Sequence, residues 1–246
     1  MYKKLFILFI STFLIISCKQ EPQLTANDIV NKAIEVSGGE RFKNSTINFD
    51  FRDKHYKAIR ENWKFQYERE FKDSISQIKD VLNNNGFMRF VNNFPMAVRD
   101  SMAVKYSASV NSVHYFSVLP FGLNDKSVNK KYLNTVEIKG KTYYKIQVTF
   151  NENGGGEDFE DVFIYWIDNK SFKADYLAYS YNESNGLGLR FREAYNERFV
   201  NGIRFVDYNN YKPESYAVAL ENLDSLFGAG KLQLLSKIEL ENVAVN

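Results

Sequence analysis

Two histidines, one cysteine and one dense acidic cluster are the residues of this 246-residue chain whose side chains could do chemistry. His114 stands beside Tyr115 and close to Val110 and Val113. Paired with Asp158 or Asp161, it could serve a hydrolase as a general base oriented by a carboxylate. The same ring, hydrogen-bonded at the seam of a helix, needs no catalytic role. Glu157, Asp158, Glu160 and Asp161 follow glycines 154 to 156 and offer the hard oxygens that calcium prefers. They lack the register of an EF-hand, and adjacent acids on a strand point to opposite faces, so a solvated hairpin mouth accounts for them better. No Cys/His spacing suits zinc. There is no G-x-S-x-G elbow, and the glycines lack the Gly-Lys-Ser/Thr ending of a phosphate loop. No catalytic residue, metal or cofactor is assigned on these grounds.

Cys18 is the only cysteine. It follows Lys3, Lys4 and an apolar run from Leu5 to Ile16, and sits within Ile15-Ile16-Ser17-Cys18. A short basic segment, an apolar core and a small residue before the cut describe a secretory signal peptide. The run falls short of the roughly 18 apolar residues that span a bilayer. Its last four residues resemble a bacterial lipobox, which implies cleavage before Cys18 and acylation of that residue by chains such as palmitate. The expected layout is therefore a signal peptide over 1–17, a lipidated tether over 18–25 and one domain over 26–246. The membrane is then a partner through Cys18. Lys19 stands where an aspartate favours inner-membrane retention in some bacteria, so outer-membrane residence is expected, on the periplasmic side or at the cell surface. Of the 32 Lys and Arg, only Lys3 and Lys4 lie in the leader, so the rest of the chain balances its 30 Asp and Glu. A neutral chain without a basic block argues against nucleic acid as a partner. A monomer is expected. With a single cysteine no internal disulfide can form, and the fold must be held by its core.

Strands dominate the pattern. Thr25 and Asp28 have capping-box spacing before the apolar stripe Ile29, Val30, Ala33 and Ile34, and Gly38-Gly39 ends that first helix. Ile47, Phe49 and Phe51 alternate, as do Trp63, Phe65, Tyr67 and Phe71, and Asn84-Asn85-Gly86 turns Ile75–Leu82 into Phe87–Val91. Val98, Met102, Tyr106, Val110 and Val113 have helical spacing between Pro95 and Pro120, which predicts a long helix over 95–118. Beyond it a meander runs through Thr135–Lys139, Thr142–Phe150, Phe159–Ile167, Phe172–Tyr181, Leu187–Val200 and Ile203–Tyr211, turning at Asn185-Gly186 and Asn201-Gly202. Tight turns make such neighbours antiparallel. A short helix through Tyr216, Leu220, Leu223 and Phe227 precedes a final strand, Leu232–Val243.

These elements predict a mainly β (α+β) fold: a curved antiparallel sheet or half-barrel of about ten strands, with an N-terminal helix and lid helices on the concave face. Aromatic residues make up 16 % of the chain. Trp63, Phe65, Tyr67, Phe87, Phe90, Tyr144, Phe163, Tyr165 and Trp166, with Val110 and Val113 from the lid helix, either line a cavity or form an ordinary core.

The helix ending in Gly38-Gly39, the aromatic strands and the Asp168–Ser171 turn resemble the Lol-type lipoprotein carrier and acceptor superfamily. That resemblance implies a curved sheet that holds acyl chains. The segments His114-Tyr115-Phe116, Gly154-Gly155-Gly156-Glu157-Asp158 and Tyr165-Trp166-Ile167-Asp168 are similar to those of Gram-negative outer-membrane lipoproteins of uncharacterised function, over about Ala26 to Tyr211. The implied function is a membrane-anchored lipoprotein that binds or hands on a lipid or other apolar ligand, without catalysis. A small envelope enzyme acting on lipid or glycan, or a protein-interaction module, are the alternatives.

Overall fold

The structure is a computed structural model that describes residues 24–156, 159–183 and 186–246. The leader, Cys18 and most of its tether lie outside the described residues, as do Glu157, Asp158 and Asn185. Helix α1 (Ala26–Ser37) begins where the capping spacing places it. The Asp28 N–H donates to the Thr25 hydroxyl at 3.2 Å, and the Asp28 carboxylate accepts from the Thr25 N–H at 2.9 Å. Two otherwise unpaired helix-end donors are thereby satisfied. Gly38 ends the helix at φ +142°, and a Cβ there would lie 2.9 Å from the Phe42 ring, so only glycine makes this exit.

The chain then builds β1 (Ser45–Phe51), β2 (Lys54–Glu61), β3 (Lys64–Asp73), β4 (Ser76–Asn83), β5 (Gly86–Val91) and β6 (Phe94–Met96). Helix α2 (Asp100–Ser117) carries it across to β7 (Val128–Ile138), β8 (Lys141–Phe150), β9 (Val162–Asp168), β10 (Ala174–Glu183), β11 (Gly186–Val200) and β12 (Ile203–Pro213). A 3₁₀ turn (Leu220–Asn222) leads into α3 (Leu223–Gly228), followed by β13 (Leu232–Ile238) and β14 (Glu241–Val245).

The mainly β, antiparallel, open architecture expected from the sequence is present, and among the described residues it is divided between two seven-stranded sheets. Sheet one has the order β14-β1-β2-β3-β4-β5-β6, and sheet two β13-β12-β11-β10-β9-β8-β7. Each sheet is almost wholly a run of hairpins, and only β14 returns from the end of the chain to pair with β1. The segment read as one final strand is therefore two, in different sheets. Asp207 pins the crossing: its carboxylate accepts from the Leu240 N–H at 3.0 Å and pairs with Arg198, which also donates to the Leu240 carbonyl at 2.6 Å. The crossing backbone thus keeps its hydrogen bonds away from either sheet.

Three apolar clusters hold the molecule. One joins α1 to the face of sheet two bearing Ile146, Val148, Phe163, Tyr165 and Ile167. A second welds the sheets together through Ile47, Phe49, Tyr56 and Ala58 of sheet one and Ile203 and Phe205 of sheet two. The third lies on the opposite face of sheet two, where Ile164, Trp166, Tyr176 and Phe191 pack against Leu223 of α3. The short third helix therefore does not share the face covered by α1 and α2, contrary to the expectation that all helices cover one concave face. Sheet two has an aromatic surface on both sides, and each needs a cover. Among the described residues no helix is long and apolar enough to cross a membrane.

Candidate functional site

Helix α2 occupies the region predicted for the lid, but starts at Asp100 because Phe94–Met96 complete sheet one. It packs on β3, β4 and β5. Val110 and His114, one turn apart, face sheet one and are fully buried. Below them the Asp80 carboxylate, with no solvent exposure, sits between two guanidiniums, with Arg69 Nη2 at 2.6 Å and Arg89 Nε at 2.6 Å. Arg69 Nη1 continues to the Ser109 hydroxyl at 2.7 Å, and the Arg89 guanidinium lies 3.7 Å from the Tyr106 ring. Sheet one therefore grips the helix through a buried polar cluster.

His114 belongs to that grip. Its Nε2 donates to the Glu68 carbonyl at 3.0 Å, and its ring stacks on Tyr67 at 4.6 Å and meets the edges of Phe49 and Tyr56. Burial, reinforced by the charges of Arg60 and Arg69 and only partly opposed by the Glu68 carbonyl, pushes its pKa down to about 3. The ring is neutral at physiological pH. It does not reach the space lined by Asp161, so His114 and Asp161 do not assemble as an acid–base pair, and Asp158 lies outside the described residues.

The other side of α2 is open. Ala103, Ser107, Asn111 and Tyr115 face a cleft of about 600 Å³, whose walls are Leu82 and Phe87 from sheet one and Phe150 and Phe163 from sheet two. Gly155 and Asp161 complete its edge. A Cβ on Gly155 would lie 2.3 Å from the Asn151 carbonyl oxygen and 2.8 Å from Phe159 Cβ, so the glycine lets this loop fold tightly at the cleft wall. Ser112 and Phe116 also line a second space of about 310 Å³ on their far side, between the β1–β2 turn and β10 to β13 of sheet two. A groove of about 740 Å³ at the turns of sheet two is larger, but its walls are charged. There Lys173 and Arg204 pair with Glu197, and Arg204 also with Asp175. Among the described residues no three His, Cys, Asp or Glu side chains converge as metal ligands.

The cavity candidates scatter. Phe87 and Phe163 line the cleft, and Val113 lines the second space. Val110 is in the core between α2 and sheet one rather than in either cavity. Tyr67 is taken up by the His114 stack, and Tyr144 packs on Phe172 and Tyr132. Tyr165 is buried in the core under α1, with burial pushing its hydroxyl well above the usual phenol range. Trp166, one residue on, faces the other way and donates to Asp224 at 3.1 Å, because neighbours on a strand point to opposite faces. The same parity turns Phe90 away from the cleft that Phe87 lines. Phe65 lies in a polar surface groove with Asn62 and Asn83 to Asn85.

Trp63 is 85 % exposed. Asn62 and Trp63 are the two central residues of the β2–β3 hairpin, both at positive φ, so the indole projects from a turn tip and meets Lys43 rather than a cavity. Sequence reasoning missed Asp80 and Arg192, charged strand residues whose partners stand on other strands. The available signal was parity: Arg192 falls in register with Arg190, opposite Leu189 and Phe191, on the face that α2 covers.

Among solved structures the chain is similar to a LolA superfamily protein from Nitrosomonas europaea, at 11 % identity and TM-score 0.48, covering 91 % of this chain and 92 % of that one. It is also similar to a DUF1329 family protein from Desulfovibrio piger, at 7 % identity and TM-score 0.39, covering 89 % and 92 %. No curated protein matches the chain. The model of the family of unknown function DUF6503 matches residues 3–240, nearly the whole length, and the chain belongs to that family.

Proposed function

We propose that this protein is a lipid-anchored component of the bacterial outer membrane that binds an apolar molecule, such as a lipid, in the cleft between α2 and sheet two, and holds or hands it on without chemical change. The observation that carries this reading is the cleft itself. Its volume of about 600 Å³ falls within the usual range for small-molecule sites, and apolar walls from both sheets meet there beside a few polar groups. An apolar guest gains roughly 25 cal/mol for each Å² it removes from water. Helix α2 is bound to one wall by the Asp80 cluster while its other side faces the opening. A binding role without catalysis accords with a His114 that is neutral, enclosed by rings and outside the space lined by Asp161.

Anchoring rests on Cys18 and its lipobox-like surroundings. Two or three acyl chains hold a protein on a membrane, whereas one does so only marginally. Expressed with its leader, the wild-type protein should fractionate with outer membranes, and native mass spectrometry after gentle release should show an apolar species bound to it. Cys18→Ala should accumulate as uncleaved or mislocalised precursor. A processed, membrane-bound Cys18→Ala protein would remove the anchor from the account, and wild-type protein consistently free of ligand would count against the binding role.

A further inference from the structure

The space on the far side of Phe116 carries a charge that no carboxylate among the described residues neutralises. Arg192 lines it and is only 7 % exposed. Its Nη2 donates to the Tyr179 hydroxyl at 2.8 Å, and its guanidinium lies against the rings of Phe116 at 4.1 Å and Tyr179 at 4.9 Å. Its Nε has no hydrogen-bond partner, and among the described residues no carboxylate pairs with it. Two other buried strand arginines are paired. Arg69 has Asp80, and Arg204 has Glu197 and Asp175. Among the described residues no carboxylate pairs with Arg60 either, but it lines neither space beside α2.

A buried charge without a counter-charge is costly, and ring contacts offset only part of that cost. Arg52 lines the same space, and no Asp or Glu does. Ser236 adds a hydroxyl that accepts from Asn210 at 3.1 Å and keeps its own proton to donate. The lining therefore combines apolar side chains and a few hydroxyls with two arginines and no acid, and the buried Arg192 fork matches a carboxylate in shape and charge.

We infer that this space receives the carboxylate of an anionic amphiphile, of the long-chain fatty acid type, with Arg192 as its counter-charge and the apolar chain running past Phe116 into the cleft. Ser112 and Phe116 line both spaces, so the head and tail sites adjoin. The inference rests on the apolar-ligand reading of the cleft and adds the chemistry of the head group.

The test compares cis-parinaric acid with its uncharged methyl ester by fluorescence titration of the full chain. The wild-type protein should prefer the acid by about ten- to a hundredfold, the scale of a charge-assisted hydrogen-bonded pair. Arg192→Met, which keeps the length of the side chain, should abolish the preference and leave ester affinity in place. Arg192→Lys keeps the charge without the fork and should weaken acid binding several-fold. Equal wild-type affinity for acid and ester overturns the inference while leaving the cleft reading intact, and binding of neither probe overturns both. A preference that survives in folded Arg192→Met protein also overturns it. Should that variant fail to fold, unchanged acid affinity in Arg192→Lys has the same force.

Discussion

Asp80→Ala should destabilise the protein by about 3–5 kcal/mol, the usual cost of leaving a buried charge without its partner. Here one carboxylate serves two arginines. Its side chain has no solvent exposure, while those of Arg69 and Arg89 are 8 % and 13 % exposed, so water cannot take its place freely. Both guanidiniums also connect to α2, through Ser109 and Tyr106, so the loss should reach the helix. Urea denaturation measures the stability, and hydrogen exchange should show amide protection in α2 falling more than in the β8–β12 meander. Glu40→Ala is the control. Its ion pair with Lys43 is exposed, so a loss of no more than about 1 kcal/mol is expected. An Asp80→Ala loss no larger than that of Glu40→Ala would mean the cluster does not hold the helix.

Acid should weaken the protein well before its carboxylates titrate, and His114 should be a principal cause. The ring titrates near 6.5 when unfolded and near 3 when folded, chiefly because burial disfavours its charged form. Below pH 6.5 the unfolded chain therefore binds a proton that the folded chain refuses. Stability from this group is fully present above about pH 6.5 and is lost progressively as pH falls toward 3. Between about pH 6.5 and pH 5 the loss should approach 2 kcal/mol, at about 1.4 kcal/mol per pH unit. His114→Asn removes the titrating ring while offering an N–H₂ donor to the Glu68 carbonyl. Its stability at neutral pH should be lower, but its decline over this pH range should be shallower than that of the wild type by about that amount. Parallel declines in the two proteins would show that the ring is not held neutral.

Local signals were legible in the sequence wherever the cause is local. Thr25, Asp28 and Gly38 fix both ends of α1 within the helix itself. Turn residues such as Asn201-Gly202 mark hairpins because a tight turn needs positive φ, and Lys139, Gly140, Asn201 and Gly202 all adopt it. What escaped was set by distant partners. Strand β2 carries Lys54, Lys57 and Arg60 among its apolar positions, and Arg60 points inward, so its alternation of Tyr56 and Ala58 was not read as a strand. The break between β13 and β14 is stabilised by Asp207 and Arg198, far away in sequence. Strand alternation separates Tyr165 from Trp166, yet both faces of sheet two are buried, and composition does not say which one meets the cleft. Of the named aromatics, Phe87 and Phe163 reach it. Asp80 and Arg192 were not singled out, because their surroundings arise only when the sheets and α2 come together.

The most direct test of the proposed site is photolabelling of the purified protein with a long-chain fatty acid carrying a diazirine near the end of its chain, followed by peptide mapping. A guest in the cleft puts the reactive carbon against α2 and the loop entering β9, so labels should concentrate on residues 100–116 and 150–163 and be suppressed by excess unlabelled fatty acid. Labelling that fell instead on the Trp63 turn tip or on α3, or that excess fatty acid did not suppress, would contradict a binding cleft under α2.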